Sequence, residues 1–415
     1  MRSGVGSRVV AALLAAVCCG ACTWTDEPPP TSTEPAQHLS ASQFRDAAVD
    51  LIEQREAALR EDDRDAFLAT IDDDELQFVA TQSRWFDNLS AMPVSDLRIE
   101  PLDRATPDAD EDELHIPVDF TMRLDGFEER SVTQRLLYTF RQVDGEVGLV
   151  NDRNSERDRR TGWLPDPWDV GDVEVRESGS ILAFFDEDTA PYADAVMKDL
   201  KSSQETVLAA VPGWSGQLVA YDISDFAGLE KRTPMKLWET GGVAYPVPVR
   251  PGSDEVAAVR FIVNPDVVHN SLQREFLLPH ELTHVALGSR DDASPRWLTE
   301  GAAEYVSRSE YSVEQQRRMA GFAMTYLGVT APVLVNGSDF YANPNTNYEV
   351  AAAACTYLAV TRGEDVLWDL MDAFTAEADQ MPMSAAQIDA ILEREIALDS
   401  LTLARESVAW AAAVG

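Results

Sequence analysis

The sequence predicts an α+β protein built as two units in series. The first unit has helices followed by a curved antiparallel sheet; the second has an α/β half that passes into a helical half. Three patterns predict this. Phe44, Ala48, Leu51, Ile52 and Leu59 recur at helical spacing near the start. Ile116, Val118, Phe120, Met122 and Leu124 then alternate at the period of a half-buried strand. Beyond residue 173, short apolar runs and one long helical pattern alternate until Leu272, after which the periodicity is almost wholly helical.

From the N-terminus, Arg2 and Arg8 form a basic region, and Val9 to Val17 a short apolar one, too short to span a bilayer. Cys19-Gly20-Ala21-Cys22 follows and resembles a bacterial lipobox, with Cys19 where an aliphatic residue is usual. The resemblance implies that residues 1–21 are a lipoprotein signal peptide and that Cys22 is lipidated and becomes the mature N-terminus, so that the protein is extracytoplasmic and lipid-anchored. An ordinary secretory signal, giving a secreted protein, is the alternative. Residues 22–39 carry Pro28, Pro29, Pro30 and Pro35 among Ser, Thr and Glu, the composition of an extended, solvated tether.

Residues 40–160 form the first unit. A short helix is expected around Ala66 to Ile71, and a strand pair around Val132 to Val150 turns at Asp144-Gly145. Helices first and a curved sheet afterwards resemble the cone-shaped fold of nuclear-transport-factor-2-like (NTF2-like) domains, a fold that serves many functions. No acid/base constellation stands in this unit, and His115, at a strand start, reads as structural.

Gly162-Trp163-Leu164-Pro165-Asp166-Pro167-Trp168 reads as a connection, and residues 173–415 as the second unit. Strands are expected at Val173 to Glu177, Ile181 to Phe185, Leu218 to Tyr221 and Val256 to Val263, with a helix from Pro191 to Val211. The chemistry is expected where the α/β half meets the helical half.

Charge excludes some functions. The chain of 415 residues carries 34 Lys+Arg against 72 Asp+Glu, a net charge of −38, and only four residues are Lys. Such a surface repels nucleic acid and anionic lipid headgroups. Of four cysteines, three (18, 19, 22) lie in the leader; Cys355 stands in an alanine-rich helical run and reads as a small buried apolar residue.

At the join stands Leu278-Pro279-His280-Glu281-Leu282-Thr283-His284. Residues i and i+4 lie one above the other on a helix, so His280 and His284 can reach one ion, while Glu281, displaced round the helix, can reach a water on it. Pro279 is expected to start or kink this helix. The second segment is Ser294-Pro295-Arg296-Trp297-Leu298-Thr299-Glu300-Gly301-Ala302-Ala303-Glu304-Tyr305. Ser294 as N-cap and Pro295 at the first helical position would open a helix that returns against the first and offers Glu300 as third ligand. Two His and one carboxylate leave a tetrahedral Zn2+ one open position. Glu304, one turn on, is placed to take the spare ring N–H of a ligand histidine. Asp291 and Asp292 read as solvated loop residues, His38 as part of the tether, and His269 as a surface residue or a substrate contact.

The helix His280-Glu281-x-x-His284 followed by Trp297-Leu298-x-Glu300-Gly301-x-Ala303-x-Tyr305 resembles the gluzincin metallopeptidases of the peptidase-MA-like type. The resemblance extends to Tyr348-Glu349-Val350-Ala351 and Arg362-Gly363-Glu364-Asp365. It implies a zincin fold for residues 173–415, zinc held by His280, His284 and Glu300, Glu281 as catalytic base, and peptide or protein substrates. Related gluzincins steady the oxyanion with a Tyr or His, for which Tyr348 is the candidate, with Tyr341 and Tyr326 behind it. The strand Val256 to Val263 is expected to pair with an extended substrate by edge addition. The alternative function is a catalytically silent zinc-binding lipoprotein that uses the same scaffold to hold a partner.

Overall fold

The structure, a computed structural model, describes residues 38–102, 112–161, 163–224, 241–264, 270–377 and 382–413. The leader, Cys22, most of the tether and His269 lie outside the described residues.

The N-terminal part opens with the helix Ala41–Glu61. Ser40 and Gln43 cap it reciprocally, and it stops where Asp62 turns left-handed (φ 56°). Its buried face is Phe44, Ala48, Ile52, Arg55 and Ala58. The short helix Arg64–Leu68, started by Asp63, and the helix Leu76–Ser90 follow. Four strands, β1 (Val94–Pro101), β2 (Glu113–Leu124), β3 (Val132–Val143) and β4 (Glu146–Asn151), pair antiparallel in sequence order. Irregularities between Ser95 and Arg98, and between Thr139 and Phe140, break the register and help curl this sheet. The β3–β4 hairpin turns on Asp144 (φ 51°) and Gly145 (φ 88°), as an Asp-Gly pair predicts. The helix at 76–90 and strand β1 were not apparent in the sequence.

The C-terminal part begins with a five-stranded sheet in the order β5-β6-β7-β9-β8, comprising Glu174–Ser178, Ile181–Phe185, Leu218–Asp222, Val256–Val263 and Gly242–Pro248 respectively. β6, β7 and β9 are parallel, and β5 and β8 run antiparallel at the two sides. The helix Ala193–Ala210 links β6 to β7 and lays Val196, Leu200 and Val207 on the sheet.

β9 is therefore an inner strand, and the expectation that Val256 to Val263 receives a substrate strand is corrected: among the described residues, β8 is the outer strand. Its two prolines hid it in the sequence. The Gly241 carbonyl accepts from Asn264 on the β9 side, so by alternation Val243, Tyr245 and Val247 turn their backbone polar groups inward. Ala244, Pro246 and Pro248 face outward, where a missing N–H breaks no ladder bond.

Both faces of this sheet are covered. Ala183, Phe185, Ala220 and Phe261 pack on the helical side, while Leu182, Phe184, Val219, Tyr221 and Ile262 join the core of the N-terminal part. Trp168, from the connecting segment, packs against both Phe184 and Tyr221, whose rings also meet edge to face. Beside it, the buried Arg260 of β9 binds Glu128 at 2.6 Å and Asp166 at 2.9 Å, joining strand, connector and N-terminal sheet. Residues from His38 onward form one compact body.

The helical half carries the site helix Ser271–Leu287, the one-turn helix Ser289–Ala293 and the returning helix Arg296–Ser307. Behind them lie Val313–Tyr326, Pro344–Arg362, Asp365–Thr375, Ala385–Ile396 and Ser400–Ala412. Gly301 lets the returning helix touch its neighbour: a Cβ there would stand 2.6 Å from the Ala351 carbonyl oxygen and 2.7 Å from Cys355 Sγ. Cys355 is fully buried in this contact, as its setting predicts.

Candidate metal centre

The site helix does not start at Pro279. Asn270 caps it, with its side chain accepting from the Leu272 N–H, two turns earlier. Pro279 sits inside the helix, where its missing N–H leaves the carbonyl of the exposed Glu275 to solvent. The chain leaves this helix through Gly288 (φ 54°), makes one turn and re-enters at Arg296. Ser294 is not the cap expected of it, and its hydroxyl has no hydrogen-bond partner among the described residues. The first N–H of the returning helix, that of Arg296, instead donates to Asn336 Oδ1 at 2.6 Å, from a segment forty residues away.

This antiparallel pair brings His280, His284 and Glu300 together. Glu300 Oε2 lies 3.3 Å from His280 Nε2 and 3.4 Å from His284 Nε2, and these atoms converge on one point. Glu300 is 3% exposed and this oxygen has no hydrogen-bond partner among the described residues. A buried carboxylate oxygen facing two imidazole nitrogens is a donor set that could hold a cation. The spacing fits: a tetrahedral ion with bonds of about 2.05 Å has ligand edges of about 3.3 Å.

Each donor is held from behind. His280 Nδ1–H donates to Glu304 Oε1 at 3.1 Å, so the expectation for Glu304 agrees with its position; Arg308 then binds Glu304 and Glu349. His284 Nδ1–H donates to Asp291 Oδ1 at 2.7 Å, and Arg296 reaches Asp291 Oδ2 at 3.4 Å. The reading of Asp291 as a solvated loop residue is thus corrected: the loop is a helical turn that aims Asp291 back at the ring. Asp292, beside it, is exposed as expected. The Tyr341 hydroxyl donates to Glu300 Oε1 at 2.7 Å, leaving only Oε2 directed at the histidines.

Electrostatics follow from this packing. Burial pulls the His280 imidazole down, but its contacts with Glu300 and Glu304 outweigh it and push the ring up to about 9. His284 is likewise raised, burial being overcome by Asp291 and Glu300. Burial would raise Glu300, yet the two imidazoles hold its carboxyl well below the usual range. The ligand set without a metal is thus a charged His–Glu–His cluster, and a metal must displace its protons.

Glu281 is buried beside His280 on the same helix. The Tyr348 ring is 5.9 Å from that of His280, and its hydroxyl is kept un-ionised by burial and by the charges of Glu300, Glu281 and Glu304 among others. Tyr326 does not join them: it is 80% exposed and stacks on Phe322. His38 pairs with Asp112 at the surface, and His115 Nδ1 lies 2.9 Å from the Thr139 hydroxyl within the N-terminal sheet, a structural placement. Sequence reasoning missed Asp291, Arg296, Arg308 and Glu349. Only an acid seven residues beyond His284, just past a glycine, hinted at the first.

A scan against protein-family models finds no match to this chain, and a search of curated proteins finds no significant relative.

Proposed function

We propose that the protein is a membrane-tethered, extracytoplasmic zinc peptidase of gluzincin type, with an NTF2-like N-terminal part and a lipid anchor at Cys22. The observation that supports it most is the convergence of two imidazole Nε2 atoms on the buried Glu300 Oε2, with Glu281 adjoining on the site helix. A cleft of about 930 Å3 opens at His284 and runs along Ala244, Pro246 and Val259. No helix among the described residues is long and apolar enough to cross a membrane.

His280, His284 and Glu300 would hold the ion. Zinc bound there supplies the Lewis acidity that makes water a nucleophile near neutral pH. Glu281 takes the proton of the attacking water and returns it to the leaving amine, a role that contributes roughly 10²–10⁴-fold. The un-ionised Tyr348 hydroxyl is the hydrogen-bond donor for the developing oxyanion. Tyr341, tied to Glu300, orients a ligand instead. Because the Tyr341 hydroxyl engages Oε1, Glu300 would offer the ion Oε2 alone.

The test is hydrolysis of a denatured protein or a peptide library by residues 23–415 and by Glu281→Gln. Turnover by the wild type that falls at least ~10²-fold in the variant supports the peptidase. Absence of turnover in both, with zinc bound, favours the silent lipoprotein.

A further inference from the structure

The cleft that opens at His284 is not made by the C-terminal part alone. Its lining includes the β2–β3 turn of the N-terminal part, with Phe127 and Glu129, and residues of the loop Pro212–Gln217. That turn is fixed at both flanks. The Gly126 carbonyl accepts from Gln217 Nε2 at 2.8 Å, and the buried Glu128 is bound by Arg260, on the strand that leads into the site helix. Phe127 and Glu129 therefore hold a set position in a cleft that His284, one of the three donors, also lines.

The cleft's chemistry is one-sided. Its basic side chain, Arg290, is engaged by both oxygens of Asp372. Of the acids, Glu128 is neutralised by Arg260, and Asp291 by His284 and Arg296. Glu129, Asp254 and Asp292 are exposed and belong to no ion pair among the described residues. The backbone contributes little at this end: beyond Ala244, the outward positions of β8 are Pro246 and Pro248, which have no N–H to pair with a bound chain. What is bound there is held through its side chains.

We propose that the N-terminal part is a component of the substrate site, and that the cleft selects extended polypeptide segments whose Lys or Arg side chain is seated against Glu129 and Asp254. This rests on the peptidase reading for the chemistry, but not for the binding. Complementary charge along a cleft gives selectivity and faster encounter, and at exposed carboxylates such as these it is weakened by salt.

Two measurements on the zinc-loaded mature chain test it. The first is kcat/KM for paired peptides that differ only in carrying Arg or Glu at successive positions. The second is binding of the same labelled peptides to Glu281→Gln, read by fluorescence anisotropy. The inference requires that the Arg peptide be preferred at one position by at least tenfold, and that Glu129→Lys with Asp254→Lys reduce that ratio to near one or below. Circular dichroism checks that the double variant folds; Glu129→Gln with Asp254→Asn, a milder change, must lower the ratio in the same direction. Equal use of Arg and Glu peptides by the wild type, or an unchanged ratio in folded variants, overturns the inference and leaves the peptidase reading standing. If no peptide is hydrolysed, that reading falls, and the anisotropy ratio alone decides the cleft's charge preference.

Discussion

His284 Nδ1 and Asp291 Oδ1 lie 2.7 Å apart, and this bond fixes both the tautomer and the tilt of an imidazole whose other nitrogen faces Glu300. The carboxylate is in turn steadied by Arg296, on the helix that carries Glu300. Asp291→Ala is expected to weaken zinc binding by about 10–100-fold while the fold is retained. Competition with a chromogenic chelator measures it. An unchanged affinity would mean that the ring is held by packing alone.

The two tyrosines at the site should separate by what they touch. Tyr341 donates to Glu300, so Tyr341→Phe frees the second ligand oxygen and should lower zinc affinity, by about tenfold. Tyr348 packs against the His280 ring and makes no hydrogen bond to Glu300 among the described residues, so Tyr348→Phe should lower kcat with zinc affinity unchanged. The opposite pattern would exchange their roles.

Much of this site was legible in the sequence because a helix repeats every 3.6 residues. His280, Glu281 and His284 acquire their relative positions from one helix, and Glu300 with Glu304 from another. Whatever depends on tertiary contact was not legible. Asp291 reads as one acid among many in an acidic chain until the turn at Gly288 aims it at His284. Asn336 caps a helix forty residues away. Strand β8 was concealed because Pro246 and Pro248 argue against a strand, yet both sit at outward positions where proline is tolerated. The alternation at Ile116 to Leu124 and the Asp144-Gly145 turn were readable, since a strand's two faces and a hairpin's φ requirements are local. The shared core of the two parts was not: Leu182 and Phe184 look like any buried strand residues, and nothing in the sequence says which sheet they face.

That shared core carries a buried charge network. Arg260→Met leaves Glu128 and Asp166 as desolvated carboxylates without their cation, and should destabilise the protein by about 3–5 kcal/mol. Urea unfolding would show it. A loss under about 1 kcal/mol would mean that water reaches the network.

Asp222, at the end of β7, is 1% exposed and its carboxylate has no hydrogen-bond partner among the described residues. Burial, reinforced by Asp186 and opposed by Arg274, pushes it up to about 7. Because the folded value is raised, its contribution is full below the unfolded value near 3.8 and is lost as pH rises through about 7. Asp222→Asn should match the wild type near pH 4, gain on it between pH 4 and 7, and stay ahead by roughly 2–4 kcal/mol above that. Urea midpoints at pH 4.5 and 8 test this; a gap that does not widen with pH contradicts it.

His280, His284 and Glu300 are proposed to hold one zinc ion on which Glu281 works as base. The most direct test strips the mature chain with a chelator and titrates zinc back into wild type and Glu281→Gln, following bound metal and peptide hydrolysis in the same samples. One equivalent should be bound by both, with hydrolysis rising in step in the wild type and staying at least ~10²-fold lower in the variant. Failure of either protein to bind zinc, or equal hydrolysis by the two, would contradict it.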